Sequence, residues 1–226
     1  SSEGKIITLN KSNLSEISSY EVVGDFSSAA FIIVAALISK KSKVLIKNVG
    51  LNATRKGLLE VLLKMNANIK IVNQRKTCNE ICGDLIAESS NLEGVELSDS
   101  VIPNIIDEIP ILSVAASFAE GETVIKNASE LKVKESNRLK ATSDGLKAMN
   151  IKHDMLDDGL IIYGHNNDVH VSKEIDSFGD HRIAMSFLVA GIRSKGGVIV
   201  KNCKNIETSF PDFFNVMNAL GMKINE

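Results

Sequence analysis

The sequence has no excess of charge of either sign, and this absence excludes several kinds of partner. Its 226 residues carry 26 Lys and Arg against 28 Asp and Glu, a formal net charge of -2. Bulk attraction to nucleic acid or to an anionic membrane surface needs a strong positive excess, so we expect neither as a partner. Intrinsic disorder is also excluded, because 44% of the residues are hydrophobic and the chain is long enough to bury a core.

Cysteine is scarce, and the few cysteines form no recognisable framework. Cys78, Cys82 and Cys203 make an odd number in a chain too large to depend on disulfides, which favours a reducing compartment. No matching Cys or His pair accompanies Cys78 and Cys82, and the histidines between positions 153 and 170 lie in a polar stretch typical of a hairpin. We therefore predict no metal site. Ser1–Lys5 shows no charged-then-apolar signal pattern, and we expect a cytoplasmic protein.

Long apolar runs and glycine-rich phosphate loops are absent as well. The apolar stretch Ser27–Ile38 is bounded by Asp25 and Lys40 and is too short to span a bilayer, so it is expected to form a buried helix. The sequence contains neither G-x-x-x-x-G-K-[ST] nor G-x-G-x-x-G. Nucleotide binding through either kind of loop therefore has no support.

The sequence does contain one pattern that occurs three times. A β-branched segment ending in Lys-Asn follows an Ala-rich stretch of helical length and precedes a second amphipathic stretch. The Lys-Asn segments are Ser42–Asn48, Gly121–Asn127 and Gly196–Asn202; the first helices are Ser27–Ile38, Ile109–Phe118 and Ile183–Ile192; the second helices are Arg55–Met65, Glu135–Met149 and Phe213–Leu220. We predict a single α/β (α+β) domain of three units, at approximately residues 20–85, 86–168 and 169–226, packed around a common centre.

An aspartate precedes each of the three first helices. Asp25, Asp107 and Asp180 all suit an N-cap, although Asp107, flanked by apolar residues and Pro110, is alternatively a functional buried carboxylate. If three equivalent units surround one axis, their helix starts gather at one face. That face is expected to form a rim that binds anions.

Positive charge concentrates at two helix starts. Lys132, Lys134 and Arg138 lie where the helix dipole favours acidic residues, so helix propensity does not explain them. The alternative is an exposed ion pair between Glu135 and Arg138, three residues apart on one helical face.

The second concentration follows Asp180 at the start of a predicted core helix. His181 and Arg182 occupy the next two positions. An arginine there offers a planar fork for a carboxylate or a phosphate. Together with the first concentration, this predicts a site for anionic ligands.

At these residues the sequence resembles the 5-enolpyruvylshikimate-3-phosphate (EPSP) synthase family. The resemblance covers the C-terminal half of the family enzyme. It implies one of two similar domains, each of three βαβαββ units around a pseudo-threefold axis, with the active site in the cleft between them. The opposing domain and the first N-terminal strand region are then missing, and the chain alone is expected to be inactive. The motifs occur in the family's order: Gly24–Ala30, Asp107–Leu112, Ala119–Thr123, Leu131–Arg138, Asp180–Met185 and Thr208–Phe214.

The resemblance also implies a reaction and roles for individual residues. The enolpyruvyl group of phosphoenolpyruvate is transferred to the 5-hydroxyl of shikimate 3-phosphate, and phosphate is released without metal or organic cofactor. Asp107 would hold and help deprotonate the hydroxyl, and Glu135 would exchange a proton with the methylene carbon of phosphoenolpyruvate. Contacts to the substrates are implied for Asp107, Lys134, Arg138, His181 and Arg182.

Two positions depart from the pattern, and two other functions stay open. Some family members carry an amide where this chain has Glu130, and some carry a lysine before the Phe-Pro, where this chain has Glu207–Ser209, including Thr208. One alternative is an enzyme like UDP-N-acetylglucosamine enolpyruvyl transferase. The other is a non-catalytic repeat or assembly domain, in which Glu135 and Arg138 form a surface pair.

Overall fold

The computed structural model of the chain describes residues 8–13 and 19–225 and combines helices with small sheets, as predicted. The segment Ser1–Lys5 lies outside these ranges. Within them, no helix is long and apolar enough to cross a membrane.

The first part of the chain forms a sheet with one helix before each of its outer strands. Strand β3 pairs antiparallel with both β1 and β2, and Gly24 forms a parallel bridge to Val49 on the other side of β1. A short extended segment before the first helix therefore completes a βαβαββ order. The elements are α1 (Phe26–Ile38), β1 (Lys43–Gly50), α2 (Gly57–Lys64), β2 (Asn68–Thr77) and β3 (Glu80–Glu88).

The middle part repeats this order. Strand β6 pairs antiparallel with β4 and β5, and Glu96 forms the parallel bridge to Val124. Short 3-10 turns precede the two helices, at Ile102–Asn104, Ile106–Glu108 and Ser129–Val133. The elements are α3 (Ile109–Ser117), β4 (Gly121–Ile125), α4 (Arg138–Ala148), β5 (His153–Met155) and β6 (Leu160–Gly164).

The last part has the same beginning but a smaller sheet. Strands β7 and β8 pair in parallel, and within the described residues no strand follows α7. The predicted strand Gly196–Asn202 is reduced to two residues, because Gly196 and Gly197 both have positive φ and interrupt the extended backbone. The elements are β7 (Ile175–Asp176), α5 (His181–Ala190), β8 (Val200–Lys201), α6 (Ile206–Ser209) and α7 (Phe213–Ala219).

Left-handed residues recur at matching places and explain why the repeat is visible in the sequence. The asparagine of each Lys-Asn pair has φ between 56° and 62°. The second helix of each part also ends in a left-handed residue whose N–H bonds back to the last turn, as in a Schellman motif. Asparagine and glycine tolerate this conformation best. The residues are Asn48, Asn127 and Asn202, and Asn66, Asn150 and Gly221. The division at residues 20–85, 86–168 and 169–226 itself stays a prediction.

Helices α1, α3 and α5 contact one another at the centre of the molecule, and their starts lie together. Ser27, in the first turn of α1, donates a hydrogen bond to Glu108, which immediately precedes α3. Arg182, in the first turn of α5, binds the same carboxylate. The structure therefore brings the three helix starts to one face, as the repeat predicted.

The other ends of the central helices also meet. Arg193 follows α5, is buried, and donates from Nη1 to the carbonyl of Ile38 at the end of α1. Its guanidinium lies 5.0 Å from the centre of the Phe118 ring, at the end of α3, and its Nε binds Asp168 at 2.7 Å. All three helices thus run in the same direction, from the predicted rim towards Arg193.

Candidate active site

Helix α4 begins at Arg138, three residues later than predicted. The side chain of Asn137 accepts a hydrogen bond from the N–H of Lys140 at 3.0 Å and so fixes the helix start. Glu135 lies in the loop before the helix. Glu135 and Arg138 therefore do not share a helical face, and they meet because the loop folds back over the first turn.

Arg138 is the centre of the site, and it is 2% exposed. Each of its guanidinium nitrogens binds a different carboxylate: Nε lies 2.8 Å from Asp180, Nη1 3.0 Å from Asp107 and Nη2 2.7 Å from Glu135. Burial acts to lower the pKa of Arg138, but the hydrogen bond and charge of Asp180 and the other carboxylates raise it above its ordinary value. The interpretation of Glu135 and Arg138 as a surface pair is therefore wrong.

Asp180 is the most buried of the three carboxylates and has two tasks. One oxygen caps α5 by accepting from the backbone N–H groups of Arg182 and Ile183, as predicted. The other accepts from Arg138 and, at 3.0 Å, from Ser136. Burial acts to raise the pKa of Asp180, but these hydrogen bonds and the positive charge of Arg138 hold it below its ordinary value. Asp180 therefore stays ionised and fixes Arg138 to the helix start.

We expect Asp180→Asn to destabilise the chain most at neutral pH and less in acid. Because the folded pKa of Asp180 is lowered, its charge stabilises the fold above the unfolded pKa of about 3.9, and this stabilisation is lost as pH falls through the folded value. Removing one partner of a buried ion pair costs at most about 3–5 kcal/mol, and the loss stays below this limit because Arg138 keeps Asp107 and Glu135. Urea unfolding at pH 7 and pH 3 measures the difference. An equal loss at both pH values would contradict the assignment.

Asp107 lies in a 3-10 turn and does not cap α3, contrary to one of the two expectations for it. The N-cap of α3 is Glu108, whose side chain makes no capping hydrogen bond. Burial acts to raise the pKa of Asp107, but the charges of Arg182, Lys134 and Arg138 outweigh it and lower the pKa. Asp107 is thus ionised and suited to accept a hydrogen bond.

Lys134 and Glu135 contact different partners, although they are adjacent in sequence. The Nζ of Lys134 lies 3.4 Å from Asp107 and 2.5 Å from Glu130, and these contacts raise its pKa, the hydrogen bond with Glu130 most of all. Glu135 turns towards Arg138 and His181. At position 130, where some family members carry an amide, this chain therefore places a carboxylate against Lys134 and not against the other cations of the site.

His181 and Arg182 close the site from the start of α5. The Nδ1 of His181 lies 3.0 Å from Glu135, and burial, more than any neighbouring charge, lowers the pKa of His181. Nη1 of Arg182 donates to the backbone carbonyl of Asp107 and to the side chain of Glu108. The structure thus brings all the predicted site residues into one cluster: Asp107, Lys134, Glu135, Arg138, His181 and Arg182.

Other residues lie outside the predicted roles. Lys132 is exposed, and no ion pair of it occurs within the described part of the chain. The hydroxyl of Thr208 donates to the carbonyl of Asn205 in its own turn. Sequence reasoning missed Glu108 and treated Asp180 only as a cap. The available signal was their position beside Asp107 and His181 at helix starts.

Three side chains of the cluster also lie at distances that suit a metal ion. Ligand atoms of Glu135, Asp180 and His181 fall within 4.8 Å of one another. However, both carboxylates bind the guanidinium of Arg138, whose permanent positive charge repels a cation at that point. The group is therefore organised by an arginine.

A solved enolpyruvyl transferase shares the fold of this chain. The enolpyruvyl transferase NikO from Streptomyces tendae superposes with a TM-score of 0.66, at 17% identity, covering 90% of this chain and 44% of that one. This likeness shows the fold of an enolpyruvyl transferase. Residues 2–217 match the model of the family described as EPSP synthase (3-phosphoshikimate 1-carboxyvinyltransferase). The chain belongs to the EPSP synthase family.

Individual relatives agree with this assignment. A structure of EPSP synthase from Acinetobacter baumannii superposes with a TM-score of 0.87 at 40% identity, covering 90% of this chain and 47% of that one. Proteins named 3-phosphoshikimate 1-carboxyvinyltransferase from Magnetococcus marinus and Legionella pneumophila are 46% and 44% identical over 91% of this chain, and 46% and 47% of their own length is covered. The chain spans about half the length of the relatives it matches.

Proposed function

We propose that this chain forms one wall of an active site that transfers the enolpyruvyl group of phosphoenolpyruvate to the 5-hydroxyl of shikimate 3-phosphate, with release of phosphate. The buried Arg138, held by three carboxylates beside Lys134 and Arg182, is the observation that supports this most. Two anionic substrates need cations held in fixed positions before they bind, and a guanidinium anchored in this way needs no reorganisation.

Glu135 is proposed as the residue that gives a proton to the methylene carbon of phosphoenolpyruvate and later recovers one. Its side chain is 54% exposed, whereas the carboxylate of Asp180 is fully buried. Arg138 and the neutral His181 orient it from the protein side. A carboxylate that is oriented by the protein and open to substrate suits general acid–base catalysis.

Asp107 is proposed to hold the 5-hydroxyl and to receive its proton. In the substrate-free chain, Lys134, Arg138 and Arg182 lower the pKa of Asp107 and weaken it as a base. Anionic substrates bound beside these cations add negative charge and offset part of their effect on Asp107. Their binding is therefore expected to raise the basicity of Asp107 at the moment it is needed.

The opposing wall is proposed to come from the N-terminal half of the same polypeptide. The outer edge of β8 also needs a partner, because β1 and β4 each have an antiparallel strand at the corresponding edge and β8 has none within the described residues. Ile199, beside β8, is 61% exposed and lines a groove with Leu188 and Phe214. We propose that a strand region of the missing half covers this groove.

The test is to reconstitute activity from two pieces. This chain is mixed with the N-terminal half of the Magnetococcus marinus relative, and this reconstituted pair is checked for complex formation by native mass spectrometry. Phosphate release from phosphoenolpyruvate and shikimate 3-phosphate is then measured. Turnover is expected for the pair but not for either piece alone. If the complex forms and does not turn over, the proposed reaction is refuted. If this chain alone turns over at an ordinary enzymatic rate, the proposal that one wall of its active site is missing is refuted.

The UDP-amino-sugar alternative is tested on the same complex. The relatives described above carry the shikimate name, so shikimate 3-phosphate is expected to raise the melting temperature of the reconstituted pair and UDP-N-acetylglucosamine is not. The reverse result would select the alternative.

A further inference from the structure

Glu108 is a buried carboxylate beside the site, and the proposed reaction gives it no role. The residue is 4% exposed and lies in the turn immediately before α3. Its Oε1 accepts hydrogen bonds from Nη1 of Arg182 at 3.1 Å and from the hydroxyl of Ser27 at 2.5 Å. A buried carboxylate is costly unless it is paired, and these two contacts offset the cost of burying Glu108.

We infer that Glu108 is a positioning residue that sets the direction of Arg182 towards the anionic substrate; this inference rests on the proposed function. Nη1 of Arg182 is occupied by Glu108 and by the backbone carbonyl of Asp107. Within residues 8–13 and 19–225, Nε and Nη2 of Arg182 make no hydrogen bond, and Nη2 lies 3.9 Å from Asp107. One side of the guanidinium is thus fixed and the other is left for a carboxylate or phosphate.

Helix α1 also holds Glu108 in place, through Ser27. Ser27, which donates its hydroxyl proton to Glu108, accepts a hydrogen bond from Nη2 of Arg55 at 3.0 Å. Arg55 also lies 3.7 Å from Asp25, the N-cap of α1. Glu108 therefore connects the starts of α1 and α5 across the turn that begins α3. A side chain held from several elements keeps the geometry that substrate binding needs.

Asp107 cannot replace Glu108 in this role. The Asp107 carboxylate is shared with Arg138 at 3.0 Å and Lys134 at 3.4 Å, and it lies farther from Arg182 than Glu108 does. Arg182 is itself mostly buried, so its charge needs a close counter-ion. Glu108 supplies this counter-ion without facing the substrate.

The functional test uses the reconstituted pair with Glu108→Gln, which keeps the shape and removes the charge. The KM for phosphoenolpyruvate is expected to rise about tenfold, with kcat and the KM for shikimate 3-phosphate within about threefold of wild type, because a misdirected clamp weakens binding of one substrate. Glu108→Asp is expected to give an intermediate KM. Ser27→Ala, which loosens Glu108, serves in place of Glu108→Gln if that variant does not fold.

Asp168→Asn is the matched control. Asp168 also pairs with a buried arginine, Arg193, but at the opposite end of the central helices. About 17 Å of helix separates the two ends, at 1.5 Å per residue. The control is expected to lower the melting temperature without changing the KM for phosphoenolpyruvate. An unchanged KM in Glu108→Gln, or an equal rise in Asp168→Asn, would overturn the inference.

A second measurement does not depend on turnover. The side-chain nitrogen signals of Arg182, assigned with Arg182→Lys, are followed by NMR in this chain. Rotation of the guanidinium is expected to be slow in the wild type and faster in Glu108→Gln. Equal rotation overturns the inference. If the wild-type pair shows no turnover, the proposed function fails while this measurement still decides whether Glu108 holds Arg182.

Discussion

Replacing Arg138 with methionine is expected to destabilise the chain by about 3–5 kcal/mol, because it leaves the fully buried Asp180 without its counter-ion. Methionine has a similar length and no charge, so the loss reports the charge and its hydrogen bonds more than the packing. Urea unfolding at pH 7 measures it. Binding of phosphoenolpyruvate to the reconstituted pair is expected to be lost as well.

Two variants make this prediction specific. Arg75→Met removes a half-exposed arginine 3.8 Å from Asp84 and is expected to cost less than about 1 kcal/mol. The double variant Arg138→Met with Asp180→Asn is expected to be less destabilised than the sum of the two single changes, since no unpaired buried charge remains. Additive losses, or a loss for Arg138→Met no larger than for Arg75→Met, would contradict the central position of Arg138.

Replacing Glu135 with glutamine is expected to lower turnover of the reconstituted pair by several orders of magnitude while leaving stability within about 0.5 kcal/mol. Glutamine keeps the size and the hydrogen-bonding shape but cannot exchange the proton that the proposed mechanism requires. Stability changes little because Glu135 is half exposed and its partner Arg138 keeps two other carboxylates. Phosphate release and thermal unfolding measure the two effects.

Glu96→Gln is the matched control for Glu135→Gln. Glu96 forms an exposed ion pair with Lys126 at 3.1 Å and has no role in the site. Its turnover is expected to stay within twofold of wild type. If Glu135→Gln behaves in the same way, the cluster is not catalytic, and the hypothesis of a repeat domain used for assembly regains support.

Local patterns in the sequence predicted a large part of the fold. The threefold order of helix, strand and helix was visible because each part uses the same left-handed asparagine at the end of its Lys-Asn segment, at Asn48, Asn127 and Asn202. The buried helix predicted at Ser27–Ile38 begins only one residue earlier, at Phe26. Such signals lie within a few residues of one another and need no knowledge of distant contacts.

The site was predicted as a list of residues, and its internal geometry was not. Arg138 binds Asp107 and Asp180, which lie 31 and 42 residues away, and Arg182 binds Glu108 at a separation of 74 residues. These contacts depend on how the starts of α3, α4 and α5 pack. The late start of α4 has a local cause instead, because the side chain of Asn137 caps the helix by accepting from the N–H of Lys140.

The edge of β8 that has no partner strand within residues 8–13 and 19–225 has a consequence for how the chain holds together. An unpaired strand usually invites pairing with other molecules, but a two-residue strand that ends in Lys201 offers little to an intruding strand. The expected result is local opening instead of aggregation. Amide hydrogens of residues 196–225 should exchange with solvent faster than those of β1–β3, and adding the N-terminal half should slow them.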